Sequence, residues 1–242
     1  MLWNLTFDNP VFGAIEETYY PVLIEGYAPA VLLIFLSILI GLIGSAIGVC
    51  FIGVTVIVIE ARKRLMRSLV LFRNPYLFSL SIVLLTAVLC FPELVGDYMA
   101  LPLRRAFSDL ITQDSMQHSE NARDWLNVSV YLSVLLYGLS RFWFTPFSIT
   151  MPIPCGLFFP CLVLGAAFGR FFGEALKDIF PLPWEDENQF PGMMAIIGSA
   201  AVATSVTQTL SVAVIMVELT GQMVLFIPIT VGSDVFTLEV RI

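Results

Sequence analysis

Met151-Pro152-Ile153-Pro154-Cys155-Gly156-Leu157-Phe158-Phe159-Pro160 is the stretch on which the reading of this chain turns. Pro152, Pro154, Gly156 and Pro160 break any helix that enters it. Yet the surroundings stay apolar, with no charged side chain from 142 to 169. A broken backbone at membrane depth is tolerated only where protein buries it or where it lines a wet cavity. A new helix then starts near Phe158–Pro160 and runs to about Leu176. Proline suits its first turn, because the missing N–H would have had no partner there.

The flanking sequence supplies the membrane. Apolar residues make up 58% of the 242 residues and charged residues 13%, with a mean hydropathy of +0.88. That is more apolar surface than a water-soluble fold can hide. Long stretches without charged side chains include 26–59, 74–92, 142–169, 188–217 and 219–233. A helix crosses the hydrocarbon core in about 20 residues. The expectation is an all-α integral membrane chain with helices at about 29–60, 75–91, 125–149, 156–176 (re-entrant), 191–204 and 208–221. The last two would be separated by the polar run Thr204–Thr209. Gly44 and Gly48 form a small-x-x-x-small pair that would let another helix approach closely, although membrane helices also tolerate such glycines without that role. Residues 103–124 read as a polar loop.

Charge placement orients the chain. Net charge is −7. Five of the twelve basic residues, Arg62, Lys63, Arg64, Arg67 and Arg73, fall within 61–73, which places that end in the cytosol. The loop 103–124 carries Asp109, Asp114, Glu120 and Asp124 and belongs on the other side. Glycosylation patterns at Asn4 and Asn127 agree weakly. Met1–Pro10 lacks the features of a signal peptide. The four cysteines sit in apolar segments without metal-type spacing, and the single histidine, His118, lies in a polar loop. No nucleophile–base pair, metal cluster or phosphate loop appears. The sequence therefore points to no enzyme, no catalytic residue, no cofactor and no nucleic-acid partner.

The chemistry of the break comes from helix ends. A helix N-terminus offers backbone N–H groups without partners and a partial positive charge. In a low-dielectric interior this makes an anion site without a cationic side chain. Amide dipoles hold an ion loosely enough to release it, which conduction requires. The N–H groups of Leu157, Phe158 and Phe159 are available, Gly156 would allow close backbone approach, and Pro154 and Pro160 shape the segment. From the residues alone, a proline-kinked helix passing straight through fits as well.

Several motifs here resemble those of the CLC chloride channel and transporter family. Residues 151–160 look like its G-x-F-x-P anion-binding motif with the upstream P-x-P-x-G. Gly165-Ala166-Ala167-Phe168-Gly169-Arg170 is similar to the continuation. Val217-Glu218-Leu219-Thr220-Gly221-Gln222 resembles the F-E-L-T-G-Q stretch and is preceded by a polar run at Val206–Thr209. The glycine-rich helix before the basic loop also resembles a family helix. The likeness covers about residues 25–230.

The resemblance implies a bundle of tilted and re-entrant helices in two inverted halves, of which this chain is similar to the second. It implies a homodimer in the lipid bilayer and chloride as the transported ligand. Gly156, Leu157, Phe158 and Phe159 would be the backbone contacts, with Pro154 and Pro160 shaping the site. The E-L-T-G-Q version is similar to the plasma-membrane channel branch, which implies a multi-pass plasma-membrane protein and passive, voltage-gated conduction. The family's G-S-G-I-P and G-K-E-G-P motifs, its pore-tyrosine helix and its CBS domains have no counterpart. Residues 1–242 therefore read as a partial membrane domain. Two alternatives stand beside the channel: a chloride/proton antiporter subunit, and a non-conducting isoform that binds full-length subunits through the first glycine helix and residues 191–221. Glu218 reads as a carboxylate bonded to local groups at a helix end, not as a proton relay.

Overall fold

A computed structural model describes residues 27–68, 75–90, 97–112, 125, 130–151, 153–179, 190–209, 211–220 and 227–230. The helices are α1 (Tyr27–Ser68), α2 (Pro75–Leu89), α3 (Asp97–Ala100), α4 (Leu103–Ile111), α5 (Val130–Ile149), α6 (Phe158–Ile179), α7 (Phe190–Thr207) and α8 (Ser211–Thr220). No strand occurs among the described residues. Segments of α1, α6 and α7 are each long and apolar enough to cross a membrane. Asn4, Asn127, Pro152, His118 and the acidic residues Asp114, Glu120 and Asp124 lie outside the described residues.

Helix α7 is the centre of the molecule. From Phe190 to Ser205 every residue is buried. A helix that is apolar all round needs neighbours on every side, and α1, α4, α6 and α8 provide them. Glycines set the two closest approaches. A Cβ at Gly165 would sit 2.5 Å from the Gly198 carbonyl oxygen, and one at Gly198 would sit 2.7 Å from the Gly169 Cα. Gly173 faces Pro191 in the same way. Positions rising along α6 meet positions falling along α7, so the two helices are antiparallel. On the other side Gly44 meets Ala201 and Gly48 meets Ser205. Here both numbers rise together, and α1 runs parallel to α7. The Ser205 hydroxyl donates to the Ser45 carbonyl at 3.3 Å. The small-residue pair on α1 thus has its partner within the chain.

The two faces of α1 are both apolar but differ in burial. Leu33, Ser37, Ile40, Ser45 and Phe51 are buried, whereas Val31, Phe35, Leu39, Leu42, Val49 and Val56 are exposed. The outer stripe suits lipid. Helix α2 is similar: Leu80, Val83, Leu84, Leu85 and Val88 are exposed, while Phe78 and Ile82 face inward.

Parts of three expected loops are helix, the first being 61–68 of the basic loop, which extends α1. Residues 103–111 of the expected polar loop form α4, whose Ala106, Asp109, Leu110 and Ile111 are buried. Arg104 and Arg105 are exposed on another face, so an amphipathic helix presents the composition of a loop. The run Thr204–Thr209 does not separate the last two helices at Thr204. Thr204, Ser205 and Thr207 continue α7, and the turn comes at Gln208, whose φ is 54°. The Thr207 hydroxyl donates to the Ala203 carbonyl at 2.8 Å, and the Gln208 N–H donates to the Thr204 carbonyl at 2.7 Å. Hydroxyls that bond back one turn stay inside a helix, and a left-handed residue closes it.

Candidate functional site

Helix α5 ends at Ile149 and α6 begins at Phe158. A Cβ at Gly138 would lie 3.3 Å from the Ala167 Cβ. These residues are 29 apart in sequence, and a straight helix would separate them by about 44 Å at 1.5 Å per residue. The chain therefore turns back at residues 150–157. A kinked helix passing straight through does not fit this contact.

The turn is built from both sides. At the end of α5 the Thr150 N–H donates to the Pro146 carbonyl at 3.3 Å, and the Thr150 hydroxyl donates to the Phe147 carbonyl at 2.7 Å. The Met151 N–H donates to the Ser148 carbonyl at 3.2 Å. The Cys155 thiol lies 3.9 Å from that same carbonyl, so the turn folds back over the last turn of α5. Ile153, Pro154, Cys155 and Gly156 are exposed, and Leu157, Phe158, Phe159 and Pro160 are half-buried.

The start of α6 lacks an internal cap. Its first helical bond runs from the Cys161 N–H to the Leu157 carbonyl, at 3.3 Å. Leu157 thus stands at the N-cap position, and leucine has no oxygen to accept from the first turn. No acidic residue lies in that turn. Pro160 has no N–H, so Leu157, Phe158 and Phe159 carry the free donors. The far end of the helix is complemented by Lys177 in its last turn. Phe159 packs edge-to-face on Phe107 of α4, with centroids 5.4 Å apart, and this fixes the first turn against the bundle.

Gly156 stands in open space ahead of these donors. A Cβ there would meet nothing within 4 Å, and its φ is not left-handed. Neither crowding among the described residues nor backbone conformation requires glycine at 156. Glu218 is exposed in the last turn of α8, with no hydrogen bond or ion pair to the described residues, instead of being bonded locally. Val217 and Thr220 beside it are buried, and the Thr220 hydroxyl donates to the Met216 carbonyl at 2.8 Å.

Three features were not singled out from the sequence. The first is the ladder Gly165, Gly169 and Gly173, whose four-residue spacing could have been read as a helix-packing stripe. The second is Arg170, fully buried, which donates through Nε to Glu174 Oε1 at 3.2 Å and through a terminal nitrogen to the Leu110 carbonyl at 3.2 Å. It also bonds the Thr112 carbonyl and so closes the C-terminus of α4. An arginine and a glutamate at i,i+4 inside an apolar helix were the available signal. The third is Arg62, which donates to the Thr150 carbonyl. No sequence pattern announces a contact across 88 residues.

The fold defines a class: a helical membrane protein in which the chain doubles back between two helices and leaves the first-turn amides of the second uncapped. The chain belongs to the voltage gated chloride channel family, whose model matches residues 5–235. It is 35% identical over 211 residues to chloride channel protein 1 of Mus musculus, covering 78% of this chain and 21% of that protein. It is 32% identical over 189 residues to chloride channel protein 2 of Homo sapiens, covering 71% and 21%. This chain therefore spans about a fifth of the length of these relatives. The crystal structure of a eukaryotic CLC transporter shares its fold, with a TM-score of 0.61 and 24% identity. That likeness covers 88% of this chain and 33% of the transporter chain.

Proposed function

We propose that this chain forms the amide side of a chloride pathway and takes part in passive, channel-type conduction. The observation that carries this reading is the uncapped start of α6. Leu157, Phe158 and Phe159 hold three N–H donors in a first turn free of acidic side chains and of capping oxygens. An anion completes such a terminus, and dipoles release it again more readily than a fixed cation would. Pro154 helps keep the approach non-helical, and Pro160 limits the donors to those three. The relatives named as chloride channels point to the ion. Assembly as a homodimer, or with longer subunits of the family, and residence in the plasma membrane belong to the same reading.

The test is ion flux from liposomes that contain the purified chain, with and without a pH gradient. Chloride efflux that ignores the gradient supports the channel. Efflux that drives protons makes the protein an exchanger. Absence of flux, alone and with a full-length family member, refutes a conducting role.

A variant isolates the amides. Leu157→Asp places a carboxylate at the N-cap, where it accepts from the first-turn N–H groups. Chloride binding is expected to disappear while insertion persists. Leu157→Ala, which adds no acceptor, is expected to keep binding. Equal chloride affinity in the two variants refutes the amide site.

A further inference from the structure

We propose that Arg62 is a positioning residue for the α6 amides, acting through the turn that precedes them. Arg62 lies near the C-terminal end of α1 and makes two contacts with other helices. It donates to the Thr150 carbonyl at the end of α5. Its guanidinium also lies over the ring of Phe78 in α2, 4.6 Å from the centroid. One side chain therefore joins α1, α2 and α5 at the residue where the turn begins.

Among the described residues the other bonds at that end are local. Thr150 and Met151 bond to Pro146, Phe147 and Ser148. Such bonds shape the turn but do not fix it to the bundle. The Arg62 bond does, because it reaches 88 residues along the chain. A cation also suits the negative end of α5. A guanidinium fork fits a carbonyl and an aromatic face together, which an ammonium does less well. Residues 151–157 then lead to the three donors, so a shift at Thr150 is passed to the first turn of α6. The inference rests on reading those donors as the anion contacts.

Cys155 reports on the turn without any ion. It is exposed, and Cys161 is buried. In a Cys50→Ser, Cys90→Ser background, its modification rate is measured with neutral, anionic and cationic thiol reagents on the liposome-reconstituted chain. Arg62→Gln and Arg62→Ala are expected to change the neutral-reagent rate roughly tenfold, the factor that corresponds to losing one charge-assisted hydrogen bond. Arg62→Lys is expected to restore part of the wild-type rate. Phe78→Leu, which keeps an apolar side chain but removes the ring, is expected to give a smaller change of the same sign.

Unchanged neutral-reagent rates in Arg62→Gln and Arg62→Ala overturn the proposal. So does a response confined to the charged reagents with opposite signs, which would make Arg62 only a local source of field. Chloride protection of Cys155 in the otherwise wild-type chain reads the amide site separately. Its absence overturns that site and leaves the Arg62 rates to be judged on their own.

Discussion

At Gly156 a methyl group enters open space, whereas at Gly169 it runs into the Met194 carbonyl oxygen. The two glycines carry opposite expectations. Gly156→Ala is expected to leave stability within about 0.5 kcal/mol, as for a substitution away from packing or strain. Gly169→Ala is expected to cost about 1–3 kcal/mol or more, because a backbone atom of α7 must move to admit it. Thermal unfolding of the purified variants in detergent checks both. Equal unfolding temperatures would contradict the close approach of α6 and α7. The sequence shows each glycine but not what stands opposite it. Gly156 drew notice because prolines surround it, whereas Gly169 is crowded by residues about 25 positions later.

Helix α6 joins the candidate site to the rest of the fold. At its start are the three free donors, and three turns further on is the buried Arg170–Glu174 pair. A buried ion pair is a weak source of stability, but removing one partner leaves an uncompensated charge. Glu174→Ala is therefore expected to destabilise by about 3–5 kcal/mol. Among the described residues Arg170 would keep the Leu110 and Thr112 carbonyls but lose the Glu174 carboxylate. The double change Arg170→Met, Glu174→Leu is expected to recover part of this loss in the same unfolding measurement. A Glu174→Ala variant as stable as wild type would show that the carbonyls suffice. The existence of α6 was legible, since proline and glycine mark its start and a charge-free run follows. Helix α4 was not legible: its polar face outweighs its buried one in composition. Helix α1 was legible in existence, although it runs on to Ser68 through the expected basic loop, but its buried face was not, because exposed Val31 and Phe35 look no different from buried Leu33 and Ile40.

Across the whole molecule the contacts fix relative direction. Phe51 meets Phe142 edge-to-face at 5.8 Å, and Arg62 meets Thr150 further along both helices. Helices α1 and α5 are therefore parallel, and α6 returns antiparallel to α5 beside α7. The sequence could place the basic end of α1 in the cytosol from Arg62, Lys63 and Arg64. It could not place the 150–157 turn relative to that end, because the link is a contact between distant residues. With that contact in hand, the turn lies at the same end of the bundle as the basic residues, and the cytosolic expectation of the charge rule extends to it. In cells, a membrane-impermeant thiol reagent is expected to reach Cys155 only from the cytosolic face. The exposed position Arg64 supplies the reference: in Arg64→Cys, with Cys50 and Cys90 replaced by serine, both thiols are expected to react from one face. The cytosolic face reacting at 64 and the opposite face at 155 would contradict the parallel arrangement of α1 and α5. Both reacting from outside would preserve that arrangement and reverse the orientation inferred from charge.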